Sequence, residues 1–227
     1  MNRRVAGVDS WKGRWVAVFL GYGRDPLVRL FDDLRAAEAG ADWKAASVIA
    51  IDIPIDLPVG GETRPADMAA RTFVGPRRSS VFLAPPSAML DASDYATARA
   101  LAQSNAWKGV SAQAWALMTA IRQAANIARS DERIYEVHPE VSFCAMSGSP
   151  LLWSKRSWNG FHRRRQLLAK HGIAFSDTLT GAPGGVALDD VLDAAAAAWS
   201  ARRIANGTSC RLPTTAAAEA RSPVIHY

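Results

Sequence analysis

A chain of 227 residues, 49% hydrophobic and 21% charged, can bury one large core and has the balance of a globular protein, which excludes disordered and fibrous classes. The net charge of +6 favours an anionic partner, nucleic acid or a phosphorylated metabolite, although an ordinary basic surface accounts for it equally well. No apolar run approaches the roughly 20 residues of a membrane span and no cleavage-site pattern follows Met1-Asn2-Arg3-Arg4, so neither membrane nor export is expected and a cytoplasmic location is. Cys144 and Cys210 lack metal-ligand spacing and read as reduced thiols.

In chain order, residues 5–9, 15–20 and 27–31 are short apolar runs separated by a Lys12-Gly13 turn and by the turn from Gly21 to Pro26, which predicts a meander of three antiparallel strands. Residues 34–46 are Ala-rich with charges interspersed and read as a surface helix weakened by Gly40; residues 47–52 are a buried strand ending in Asp52. Pro54, Pro58, Gly60-Gly61, Pro65, Gly75-Pro76 and Pro85-Pro86 make the following stretch a loop or lid, with one short helix near 66–72. Residues 111–128 have the clearest helical period, with Ser111 as N-cap. Residues 134–138 form a strand before Pro139, 156–176 a basic and partly helical insertion, and 181–185 a loop. Asp189 or Asp190 then opens a last helix that ends near Ala205, with Gly207 as its stop. Three antiparallel strands followed by parallel crossovers are the order of the ribonuclease H-like α/β fold, a mixed five-stranded sheet. One domain over 1–227 is expected, with a lid insertion at about 54–110 and a basic insertion at about 142–186.

That topology gathers the acids. Asp9 ends the first strand, Asp52 the fourth, Glu136 lies in the fifth, and Asp190 and Asp193 share a face of the last helix. Clustered carboxylates need a cation to stay ionised, and an all-oxygen ligand set suits Mg²⁺ or Mn²⁺, alone or as a pair that cleaves phosphodiesters, better than zinc. Plainer roles exist for each: turn residues for Asp9 and Asp52, a helix cap for Asp189 or Asp190, a solvated face for Asp193.

With those residues in hand, the chain resembles the predicted ribonuclease H-like nucleases of domain-of-unknown-function family four-twenty-nine. The matching segments are Gly7-Val8-Asp9 with Gly13-Arg14-Trp15-Val16, Ile51-Asp52-Ile53-Pro54, the 64–71 stretch with Asp67, Ser79-Ser80-Val81-Phe82, Ser111-Ala112-Gln113, Glu136-Val137-His138-Pro139-Glu140-Val141-Ser142-Phe143, and Asp190 with Asp193-Ala194. The resemblance implies the fold and, by analogy with Holliday-junction resolvases, metal binding by Asp9, Asp52, Asp190 and Asp193.

Other residues complete the expected site. Strand alternation places Glu136 and His138 on one face as possible catalytic partners. Arg64, Arg71, Arg77 and Arg78 flank the lid, where they could grip phosphate, and Lys155-Arg156 with Trp158 and Arg163-Arg164-Arg165 interleave charge and aromatics as single-strand binding surfaces do. A solvated basic loop explains the first equally well, and a solvated helix face is the main competitor for the second. Trp107, Trp115 and Trp199 read as core. The motifs of serine hydrolases, P-loop ATPases, dinucleotide oxidoreductases and zincins are absent. The expected activity is therefore a Mg²⁺- or Mn²⁺-dependent nuclease with Asp9, Asp52, Glu136, His138, Asp190 and Asp193 at its centre and Arg64, Arg71, Arg77 and Lys155 on substrate. The alternatives are a phosphotransferase or nucleotide-binding protein on the same fold, and a non-catalytic nucleic-acid-binding module.

Overall fold

The computed structural model describes residues 3–176, 179, 185–214 and 223–227. Strand β1 (Val5–Trp11) turns into β2 (Arg14–Leu20) through Lys12 and Gly13, whose φ angles are 50° and 77°. Two successive positive φ values match the twist of a two-residue hairpin, and glycine takes the second without strain. Strand β3 (Leu27–Phe31) pairs antiparallel with β2, while β4 (Val48–Ile51) and β5 (Ile134–Glu136) run parallel to β1 and β4, giving the order β3-β2-β1-β4-β5. The helices among the described residues are α1 (Leu34–Ala39), α2 (Ala41–Ala45), α3 (Pro65–Phe73), α4 (Tyr95–Ser104), α5 (Ala112–Ala116), α6 (Met118–Ala128), α7 (Pro139–Ser147), α8 (Trp158–Lys170) and α9 (Leu188–Ala205). None is long and apolar enough to cross a membrane.

Period-two alternation divides the sheet into two buried faces. Val5, Val16, Val18, Val48 and Ala50 pack on α7, α8 and α9, whereas Ala6, Val8, Ala17, Ile49 and Ile51 pack on α1 and α6. Helix α9 is buried nearly all round from Val191 to Ala201, which explains why it carries alanine where a surface helix would carry charge. Its approach to the sheet is close: a Cβ on Gly7 would overlap Ala194 O and Ala198 N of the helix backbone.

Several elements differ from expectation. The helix across 34–46 breaks at Gly40, which both ends α1 and precedes α2. Ser111 does cap its helix, Oγ accepting from Ala114 N at 3.1 Å, but that helix is interrupted at Leu117. Helix α7 is buried nearly all round, Glu140 and Ser142 included, so no amphipathic period announced it, although Pro139 sits at the first helical position that suits it. The stretch read as a basic insertion contributes Phe143, Met146, Leu167 and Leu168 to the core against α9 and is a second helical layer. The lid region carries a further helix, α4, capped by Asp94. Helix α9 begins one or two residues earlier than expected, with Ala187 at its cap, so Asp189 and Asp190 sit in the first turn instead, where carboxylates favour the positive helix end. Two-residue strands β6 (Arg211–Leu212) and β7 (Ile225–His226) pair separately, too short to leave a period in sequence. Of the loop expected at 181–185, residues 181–184 lie outside the described residues.

Candidate metal centre

Parallel pairing sets Val8 beside Ile51, and Asp52 N donates to Val8 O at 2.9 Å. Asp9 does not end β1 as expected, because the hairpin ladder with β2 continues to Trp11; it lies within β1 beside Asp52, which follows β4, and by alternation both face α9, as Gly7 and Ala50 do. Asp193 descends from the second turn of α9. One carboxylate oxygen from each of these three residues lies within 4.8 Å of the others, the one such three-membered group among the described residues. Asp9 and Asp193 are buried and Asp52 half-buried.

Unit charges at that separation repel by about 3.5 kcal/mol at an effective dielectric near 20, and burial penalises each charge further. Burial, then Asp52 and Asp193, hold the Asp9 carboxyl well above the usual carboxylate range. Burial likewise pushes Asp52 and Asp193 each up to about 7, against the pull of the Lys155 ammonium. Lys155 Nζ donates to Asp193 Oδ2 and lies 3.8 Å from Asp189 Oδ2. Three converging carboxylates whose charge is this poorly compensated form a hard-oxygen donor set, which fits a divalent cation of the Mg²⁺ or Mn²⁺ type.

The triad opens into a cavity of about 490 Å³ whose wall also carries Asp190, His138, Arg77, Lys155 and Arg156. Asp190 thus lines the cavity without belonging to the converging group. His138 caps α7: its Nδ1 accepts from Glu140 N at 3.2 Å, which leaves the proton on Nε2, 3.3 Å from Ser80 O. Burial lowers its pKa, so the ring is neutral with both nitrogens engaged.

Glu136 stands apart from the triad. It pairs with Ile51, which faces α6, so the same alternation that turns Asp52 toward α9 turns Glu136 away. Its carboxylate accepts from Arg64 Nη1 and Nη2 at 2.9 and 2.6 Å and from Ile55 N at 2.8 Å. Arg64, expected on substrate, is only 2% exposed. It also donates to Asp67 and to Asp56 O, so it ties the segment after β4 to β5 and α3. The expected pairing of Glu136 with His138 is replaced by this buried ion cluster.

Arg71 donates to Val81 O at 2.6 Å and lines a neighbouring cavity of about 290 Å³. Arg77 does reach the main cavity, with Nε held by Glu140 Oε1 at 3.0 Å. Of the arginine run, Arg164 is 1% exposed and donates to both Glu140 oxygens at 2.7 Å, so it is structural. Trp158 is exposed and rests on His162, ring centroids 4.1 Å apart. Trp199 is buried, and Trp107 and Trp115 are partly buried against the α6-side core. Sequence reasoning missed the Arg77-Glu140-Arg164 relay because its members lie 63 and 24 positions apart; the sole local signal was Glu140 in the first turn after Pro139.

A family model described as Protein of unknown function (DUF429) matches residues 7–218, a span that contains every acid of the centre. No curated protein and no solved structure matches the chain.

Proposed function

Since this chain belongs to the family of unknown function DUF429, we propose an activity from its geometry: a nuclease of the ribonuclease H-like fold that hydrolyses phosphodiester bonds of nucleic acid with Mg²⁺ or Mn²⁺. The observation that carries the reading is the convergence of Asp9, Asp52 and Asp193 from two adjacent parallel strands and one helix, in a cavity that also holds Arg77, Lys155 and Arg156. Acids that gather a cation beside bases that gather a phosphate are what this reaction needs. The order β3-β2-β1-β4-β5, with Asp9 within β1 and Asp52 directly after β4, supports the ribonuclease H-like assignment.

Asp9, Asp52 and Asp193 would hold the ion, and Asp190 lines the same cavity. The bound ion would supply Lewis acidity toward the phosphoryl oxygen. The chain's own contribution is alignment and charge. Arg77, oriented at Nε by Glu140, is placed to grip a phosphate oxygen, and Arg164 keeps Glu140 from rotating away. His138, neutral and doubly engaged, orients α7 and leaves proton transfer to solvent.

The test is incubation of the full chain with single-stranded, duplex and branched DNA and RNA, with Mn²⁺ or chelator, beside Asp9→Asn and Asp193→Asn. Cleavage is expected with metal only, falling to background in both variants, and polynucleotide affinity should fall steeply with salt. Cleavage that survives both substitutions would refute the site. Absence of cleavage together with thermal stabilisation by ATP would favour a nucleotide-binding protein instead.

A further inference from the structure

Lys155 is an unusual surface lysine. Its ammonium is inside the carboxylate cluster, donating to Asp193, and the Asp9 and Asp52 charges act on it as well. The loop that carries it, between α7 and α8, is held at several points. Leu151 is buried. Trp153 O accepts from the buried Arg164 at 3.1 Å, and Ser154 O accepts from Ser157 N and Oγ at 3.0 and 2.8 Å. Gly160, in the first turn of α8, has no Cβ because Ser154 O occupies that place. The loop is therefore built against α8 and cannot drift without breaking these bonds, and Lys155 has a defined address.

Charge accounting then limits how many ions the centre can take. Asp9, Asp52 and Asp193 carry three negative charges when ionised. One divalent cation and one ammonium cancel them, whereas two divalent cations and the ammonium exceed them by two positive charges, of which Asp190 on the cavity wall offsets at most one, Asp189 being shared with Arg156. An ammonium seated on Asp193 also occupies the volume in which a second ion, about 3.5–4 Å from the first, would have to share that carboxylate.

Resting on the metal-dependent reading above, we propose that this centre takes a single divalent ion and that Lys155 supplies the second positive charge, standing where a two-ion nuclease holds its second metal. Asp9 and Asp52 then hold the ion, shared with the second oxygen of Asp193, while Lys155 lines the cavity that Arg77 also lines.

The experiment counts ions without relying on turnover. Mn²⁺ bound per chain is measured by equilibrium dialysis, and the electron paramagnetic resonance spectrum distinguishes an isolated ion from a spin-coupled pair. Wild type should bind one tight Mn²⁺ with an uncoupled spectrum; Lys155→Met, which keeps the apolar stem, should bind two with spin coupling; Lys155→Arg should return the count to one. Thermal unfolding of each variant checks the fold, and Lys155→Gln replaces the Met variant if that one does not fold. Two coupled ions in wild type would overturn the proposal and leave the nuclease reading standing. A count of one in the folded neutral variant would overturn it as well. No tight Mn²⁺ in wild type would instead remove the metal-dependent reading on which it rests.

Discussion

Replacing Gly7 by alanine tests whether the close approach of α9 to β1 is what assembles the acidic centre. The added Cβ would lie 2.6 Å from the carbonyl carbon of Ala197, about 1 Å inside the distance of optimal carbon contact, and closer still to Ala194 O and Ala198 N. All three are helix backbone, so no rotamer change relieves the overlap and α9 must move outward. Overpacking of this kind costs about 1–3 kcal/mol, and the rigidity of the obstacle places it near the upper end. For a chain of this length about 3 kcal/mol lowers Tm by roughly 6–12 °C. A shift of about 1 Å also carries Asp193 away from Asp9 and Asp52, and disturbance of a ligand's support typically weakens metal binding about 10- to 100-fold. Thermal unfolding and Mn²⁺ titration of the same sample measure both effects. Gly13→Ala is the control: it strains a turn with φ of 77° but meets nothing within 4 Å, so it should lower Tm and leave Mn²⁺ affinity unchanged. A Gly7→Ala protein within about 2 °C of wild type, with undiminished Mn²⁺ affinity, would refute the reasoning.

Asp52 makes the metal-free protein sensitive to pH in a defined direction. Its pKa rises from an ordinary value near 3.8 to about 7 on folding, so between those values the folded chain holds a proton that the unfolded chain has released, and stability falls as pH rises through that window. Relative to Asp52→Asn, wild type should therefore lose up to ~1.4 kcal/mol per pH unit across it. Urea unfolding at pH 5 and pH 8 in chelator reads the difference, which saturating Mn²⁺ should abolish; a difference independent of pH would contradict it. Arg64→Met should destabilise by about 3–5 kcal/mol, because Glu136 and Asp67 are left as buried acids without their cation. Adding Glu136→Gln should restore part of that loss in a double-mutant cycle, and strictly additive effects would mean that the pair does not interact.

Much of the framework was legible in the residues themselves. The Lys12-Gly13 turn and the apolar runs on either side follow from local chemistry: a turn needs particular φ angles, and a buried strand needs a run of apolar side chains. The alanine-rich α9 was readable as a helix, although the reason for its alanines, contact with a glycine in β1, was not. Glu136 shows where reading a single strand stops short. Alternation within β5 was read correctly as far as Glu136, but the face on which that alternation lands depends on the register with β4, which pairs Glu136 with Ile51 and points it away from the triad.

Arg64 and Lys155, both expected on substrate, part ways for a related reason. Both were basic residues in irregular segments, and nothing nearby in sequence distinguishes one that clamps a buried glutamate from one that reaches a cluster of aspartates. The sequence by itself determined the order of the five sheet strands, the last helix and the acids near them, since these depend on local conformational preference and on side-chain type. Only the tertiary structure decided which acids meet, because that depends on strand register, on how closely α9 lies on Gly7, and on charge partners up to 72 positions away, all of them set by packing between elements rather than within them.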